Sequence, residues 1–481
     1  MMLPLLFLAL LTLERTEKGL VLEGRGGEPL FLLLDVPLPL DDEFLRAARE
    51  VGADGFVMPL WWSEWEREEG RLDFKPVREA LERLRREKFV VMVLINCCTP
   101  KWFWRKHPKM PRFMQYGPYP FEPTWWSAYR RYVEAVVRAT RDFGNVVGYG
   151  VSLGGEADCV WAYPEESRYC LHDFREWLRK RYRGDVRKLR EEWGDPKLTF
   201  ESVCLPKRGA SKFEFSASWR DWCDFRDSFW VWASGRPARI VKSLAPRRLV
   251  YVRLNAPFFT GSNPLLAREC PWVDIVQLKH VFWRGSEAKI LFRNALAFAM
   301  AKRSNKAYFP EMDILLKWGK LSPRSGGWRG VPLSAPEAGC FMFYRCGNRI
   351  NLLWNVASLK GAIYEAKREM ARRRPPPKVA LLFSYRAFSR HAQRPANFRG
   401  AQYSATLLLH DLGWRFALAC DEALVHFFDY NAIVVPYNPI LTEEVARTLS
   451  DFVALGGAVL ATDGAGEFEP SGRRRPCGAL P

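Results

Sequence analysis

From residue 29 to residue 344, short apolar runs alternate with amphipathic helical stretches, and this alternation restricts the fold more than any other feature of the chain. Phe31–Val36 is a mostly apolar run of the kind that forms a strand buried on both faces. Asp41 and Asp42 then cap a helix through Val51. Gly55–Trp61 and Phe89–Ile95 read as the second and third strands, with a helix over Lys75–Lys88 between them. A helix from Pro123 to Phe143 leads to a fourth strand over Val146–Leu153, and a long helical insertion then reaches Trp193. Asp221–Leu244 reads as helix. Leu249–Leu254, Val273–Leu278, Lys306–Pro310 and Gly339–Tyr344 complete the set of strands, with a helix over Ser286–Arg303 before the seventh. Eight strands with intervening helices in about 340 residues predict an α/β protein built on a (β/α)8 TIM barrel. A doubly wound open sheet fits the same alternation, but no Gly-rich phosphate loop follows the first strand.

Arg372–Lys378 (RRRPPPK) reads as a linker, and the α/β rhythm restarts beyond it. Val379–Phe383, Ala405–Leu412, Arg415–Ala419, Ala432–Val435, Thr442–Leu455 and Ala458–Thr462 predict a smaller flavodoxin-like or amidotransferase-like α/β domain. It has no nucleophile elbow, and Cys420 has no His at a recognisable spacing, so its expected role is structural. The expected organisation is an N-terminal segment 1–28, a barrel 29–371, a linker 372–378, a second domain 379–470 and an irregular tail 471–481. Met1–Leu13 is apolar but has no basic n-region and no small-residue cleavage site, and it is too short to span a bilayer. It reads as an N-terminal strand or docking segment of a cytoplasmic protein without membrane contact.

The formal net charge of +19 raises the question of nucleic acid. The basic residues are interleaved with Glu and Asp along helices such as 171–192 and 366–374, and no zinc finger, RNA-recognition motif or basic tail accompanies them. Solvated helix faces are the expectation, with no nucleic-acid partner. The 11 Cys stand singly apart from Cys97–Cys98, and the 6 His form no HExxH pattern, so neither a metal nor a cofactor is expected. Four Gln and twelve Asn beside abundant Arg and Glu is a hyperthermophile pattern.

In such a barrel the chemistry sits at the C-terminal ends of the strands. Two carboxylates stand there, Glu156 after strand four and Glu311 after strand seven, on roughly opposite sides of the mouth. Cleavage of a glycosidic bond needs such a pair: one carboxyl protonates the leaving oxygen while the other attacks the anomeric carbon or activates water. Asp158 and Asp313, each two residues further into its loop, are weaker candidates. The candidate substrate-binding residues are Trp62 and Glu64 after strand two, Asn96 after strand three, Asn255 after strand five, His280 after strand six, and Tyr344 and Trp354 at and beyond strand eight. Trp102, Trp104, Trp125 and Trp126 offer a sugar-stacking platform or a packed loop core.

Three stretches resemble glycoside hydrolase family 42, the β-galactosidase-like enzymes of the retaining barrel clan. They are GADGFVMPLWWSEWEREEGRLDFKPVREAL with VVMVLINCCTPKWFWRKHP (52–108), VVGYGVSLGGEADC with CLHDFREWLRKRYRGDVRKLREEWG (146–194), and KVALLFSY to LGGAVLATDG (378–464). The resemblance implies a retaining exo-β-glycosidase with Glu156 as acid/base and Glu311 as nucleophile, a glycoside or oligosaccharide as substrate, and a homotrimer formed through the second domain. Two departures stand out. Gly155 occupies the place of the Asn that usually precedes the acid/base and binds the sugar 2-hydroxyl, and only Cys170 remains of a cysteine cluster that binds zinc in some members. Two other readings stay open: GGEAD and PEMD also resemble β-amylases, which invert with two Glu, and the loss of that Asn fits a non-catalytic carbohydrate-binding or assembly subunit.

Overall fold

The computed structural model describes residues 11–16, 19–24, 30–34, 38–110, 117–152, 168–205, 216–255, 270–281, 305–313, 340–344, 377–384, 396–420 and 424–462, with single residues and short stretches besides. The chain divides into two compact units, residues 1–160 with 230–374 and residues 161–229 with 375–481.

The first unit opens on an antiparallel hairpin, β1 (Leu11–Thr16) and β2 (Gly19–Gly24), where one N-terminal strand was expected over Met1–Leu13. Residues 1–10 lie outside the described set. Then come β3 (Leu30–Leu34), α1 (Asp42–Glu50), β4 (Gly55–Trp61), the single-turn α2 (Trp62–Trp65), α3 (Lys75–Arg86), β5 (Val90–Asn96), α4 (Lys101–Lys106), α5 (Pro123–Thr140) and β6 (Val146–Ser152). The insertion after β6 carries α6 (Arg168–Arg181) and α7 (Val186–Trp193), which belong to the second unit, and α8 (Ala217–Leu244) follows, its residues from 230 onward belonging to the first. β7 (Leu249–Asn255), β8 (Ile275–Val281), β9 (Ala307–Asp313) and β10 (Cys340–Tyr344) complete the unit.

Strands β3 to β10 are all parallel and close on themselves, β10 pairing with β3. Sequence chemistry sets the local elements. Asp41 caps α1 by accepting from Phe44 N–H at 2.8 Å, so the helix starts where a carboxylate can satisfy an orphan donor. α3 buries Val77, Ala80, Leu81 and Leu84, the i, i+3, i+4, i+7 stripe of a helix lying on a sheet. All seven residues of β5 are buried, as expected of a strand with barrel core on one side and helices on the other.

The ring contacts reveal which alternate residues face inward. Tyr251 and Phe309 lie on strands separated by β8, yet their ring centroids are 5.8 Å apart in an edge-on contact. Side chains of alternate strands converge in this way on the concave side of a barrel. Gly150 stands in register with Tyr251, and a Cβ there would lie 2.1 Å from the tyrosine ring, so the glycine makes room for that ring in the barrel interior.

Two strands run past the predicted ends. β8 continues to Val281 and β9 to Asp313, because Lys279, His280 and Val281 pair with Glu311, Met312 and Asp313. Glu311 and Asp313 therefore belong to the strand itself rather than to the loop after it.

In the second unit, the described residues 168–205 and 216–229 are rich in helix and include the buried carboxylate of Asp221. Asp221 accepts from Tyr182 Oη at 2.5 Å and from Trp193 Nε1 at 2.9 Å, and pairs with Arg220 and Arg181 at 3.0 and 3.1 Å. Residues 375–481 contribute β11 (Val379–Phe383), α9 (Ala396–Asp411), β12 (Phe416–Cys420), a 3-10 turn over Leu424–Asp429, β13 (Ala432–Val435), α10 (Glu443–Ala454) and β14 (Ala458–Ala461). The four strands form a parallel sheet in the order β12-β11-β13-β14.

Candidate active site

The register of the barrel assembles the mouth in rows. One row runs through Asn255, Lys279, Glu311 and Met342 on β7 to β10. Glu311 is two residues past Phe309 and so has the inward parity of that strand. On the other side of the ring, Trp61, Asn96 and Ser152 stand in register on β4, β5 and β6. Asn96 is two residues past Leu94, the partner of Gly150, and Trp61 and Ser152 share its parity.

Asn96 is the one residue of these rows whose polar contacts are described in full. It is completely buried, and its Oδ1 accepts from the backbone N–H of Cys98 at 3.2 Å. That contact fixes the amide, because the flipped form would set two donors against each other. Nδ2 is left without a partner. A buried donor of this kind costs free energy unless something is brought to it. Trp102 Nε1, a few residues further on, is likewise buried and unpartnered.

Trp62, expected on the pocket wall, is a core residue instead. It opens α2 just past β4, is completely buried, and packs against Trp102, Phe103, Trp125, Tyr129 and Tyr132. Its Nε1 donates to the buried Glu66 at 2.5 Å, and Glu66 also accepts from Gly70 N–H at 2.7 Å. Trp61, one residue earlier and half-buried, has the inward parity. Glu64 is exposed on α2. Of the aromatic loop, Trp102 and Trp125 are core residues, and Trp125 Nε1 donates to Thr99 Oγ1 at 2.8 Å. Burial, with added repulsion from Glu66 and Glu64, raises the Tyr132 phenol well above its ordinary value, so Tyr132 stays a donor to Leu60 O at 3.0 Å.

His280 pairs with Met312, on the alternate parity from Lys279 and Glu311. The residue in the same row as Glu311 is thus Lys279, which with His280 ends the sixth barrel strand in the sequence. Tyr344 ends β10 and pairs with Asp313. For Asn255, Lys279, His280, Glu311 and Tyr344 the backbone is described and the side chains are not. Glu156, Asp158 and Trp354 lie outside the described residues, and β6 ends four residues before Glu156. Among the described residues no group of three His, Cys, Asp or Glu is placed to hold a metal ion, and no helix is long and apolar enough to cross a membrane.

Comparison with known proteins gives a consistent picture of this scaffold. The model of glycoside hydrolase family 42, described as beta-galactosidase, matches residues 56–278, from β4 to β8. No curated protein matches the chain. Among solved structures, the beta-galactosidase from the Antarctic haloarchaeon Halorubrum lacusprofundi superimposes with a TM-score of 0.76 at 18% identity, over 93% of this chain and 75% of that one. The beta-galactosidase from Rahnella sp. R3 gives 0.72 at 16% identity, over 93% and 73%. The catalytic domain of beta-amylase from Paenibacillus polymyxa gives 0.56 at 11% identity, over 72% of this chain and 99% of that one. At these identities the likeness establishes the fold.

Proposed function

We propose that this chain, which resembles glycoside hydrolase family 42, is a retaining exo-β-glycosidase acting on β-galactosides or closely related β-glycosides. The observation that carries the reading is the placement of Glu311 at an inward-parity position near the C-terminal end of β9. The strand that leads to Glu156, β6, is three places away around the same closed ring. The two carboxyls then serve the two steps of a double displacement. Glu311 attacks the anomeric carbon while Glu156 protonates the departing oxygen. Glu156 next takes a proton from water, which opens the glycosyl-enzyme ester.

Asn96 supplies what Gly155 lacks. Its unpartnered Nδ2 lies at the end of β5, beside the strand that leads to Glu156, and a sugar hydroxyl is a fitting acceptor for it. The order of the second sheet, β12-β11-β13-β14, agrees with the 2-1-3-4 start of a flavodoxin-like domain. By the resemblance this domain joins copies of the chain into a trimer.

Replacing Glu311 with Ala should abolish turnover of an aryl β-galactoside. Replacing Glu156 with Ala should spare substrates with activated leaving groups more than natural ones. The first-formed product, followed by NMR, should keep the anomeric configuration of the substrate. Near-normal turnover by the Glu311 variant, or an inverted first product, sinks the assignment, and inversion would favour the β-amylase-like reading. Sugar binding without turnover across a panel of aryl glycosides would mark a non-catalytic member.

A further inference from the structure

One flank of the first unit carries exposed arginines layered on aromatic rings. Trp232, Arg236 and Arg239 stand at i, i+4 and i+7 on α8, which places them on one face over about 10 Å of helix. All three are exposed, and Trp232 has 46% of its surface in solvent. The Arg236 guanidinium lies 4.3 Å above the ring of Phe121 and 5.1 Å from that of Trp126, at the start of α5. The Arg239 guanidinium lies 5.6 Å above the ring of Trp272. Gly235 packs beside the same segment, where a Cβ would sit 3.3 Å from Cys270 Sγ, a tight approach, and 3.7 Å from the Trp272 ring, an ordinary contact.

Stacking on a ring holds a guanidinium flat and leaves its edge of N–H donors toward solvent. Such an edge matches an oxyanion in a forked pair. Arg239 has no acidic partner among the described residues. Trp232, one turn before Arg236, adds an open ring of the kind that packs against the C–H face of a sugar. A fixed fork at Arg239 beside the open ring of Trp232, on a chain of net charge +19, is complementary to a polymer that repeats rings and negative charges.

We propose that this flank is a binding surface for an acidic polysaccharide, a sugar chain bearing sulfate or carboxylate groups. The choice of a sugar polymer rests on the glycosidase reading above, whereas the ring-and-fork geometry is independent of it. The test uses the full-length protein in affinity electrophoresis and calorimetry with a sulfated galactan, polygalacturonate, a neutral galactan and a single-stranded oligonucleotide. The wild type should bind one or both acidic polysaccharides and not the neutral one, and the two acidic arms distinguish sulfate from carboxylate. Replacing Trp232 and Arg239 together with Ala should weaken that binding by about 10-fold or more, the scale of a lost charge-assisted contact. Hydrolysis of a small aryl glycoside should be unchanged.

The proposal is overturned if the wild type ignores both acidic polymers or if the double variant binds as tightly as the wild type. It is equally overturned if Arg447→Ala on α10 causes the same loss, which would make the binding a general charge effect. Preference for the oligonucleotide, or a change in assembly mass in the double variant, assigns the flank to another partner and also overturns it. Absence of any hydrolysis would count against the glycosidase reading alone, since the polymer-binding comparison does not require turnover.

Discussion

Asn96 carries an amide whose two ends have different fates. The oxygen is engaged by Cys98 N–H, and the nitrogen has nothing to donate to. Asn96→Asp separates the two, because it keeps the acceptor for Cys98 and removes the donor. A donor to a neutral hydroxyl is worth about 0.5–1.5 kcal/mol, so we expect kcat/KM for a β-galactoside to fall by about 2- to 10-fold or more. The circular dichroism spectrum should be unchanged. Unaltered kinetics with a normal fold would remove Asn96 from substrate recognition. Trp62 shows the opposite economy: its one polar side-chain atom, Nε1, is already engaged by Glu66.

At the scale of the element, the barrel depends on which side of each strand a residue occupies. Gly150 and Tyr251 form a matched pair across β6 and β7, with no room for a methyl group against the ring. Gly150→Ala should destabilise the barrel by about 1–3 kcal/mol, as overpacked cores do, read from the midpoint of urea unfolding. Adding Tyr251→Leu should recover part of that loss, and strictly additive effects would show that the two residues do not meet. The same parity explains what the sequence did and did not reveal. The bounds of β4 and of β11 coincide with the apolar runs that predict them, because Gly, Pro and polar residues punctuate those runs. Inside and outside were not legible, since a run such as VVMVLIN is buried at every position and has no alternation to read. That ambiguity sent the reading to Trp62 rather than Trp61. The ends of β8 and β9 were misplaced for a related reason: hydrophobicity stops before the backbone pairing does.

For the whole molecule, the second unit exposes a group of large apolar residues at the end of α9 and just beyond it. Leu408, Leu412 and Trp414 each have more than half of their surface in solvent. Contiguous apolar exposure of this kind marks an association surface, in keeping with the proposed trimer. Leu408→Glu combined with Trp414→Glu should lower the assembly mass measured by light scattering. Such surface changes usually alter stability by less than about 0.5 kcal/mol, so the unfolding transition should persist. An unchanged mass would place the contact elsewhere or make the protein a monomer.

The closure of β10 onto β3 also sets a clock on the birth of the molecule. Cys340 pairs with Leu30, so the first barrel strand waits for a neighbour encoded about 310 residues later, which at about 5–20 residues per second means roughly 15–60 s of synthesis. Throughout that interval β3 has an open edge on a growing chain, the condition under which strands pair with the wrong partner. A protein made this way needs either a chaperone at the ribosome or an early cover for that edge.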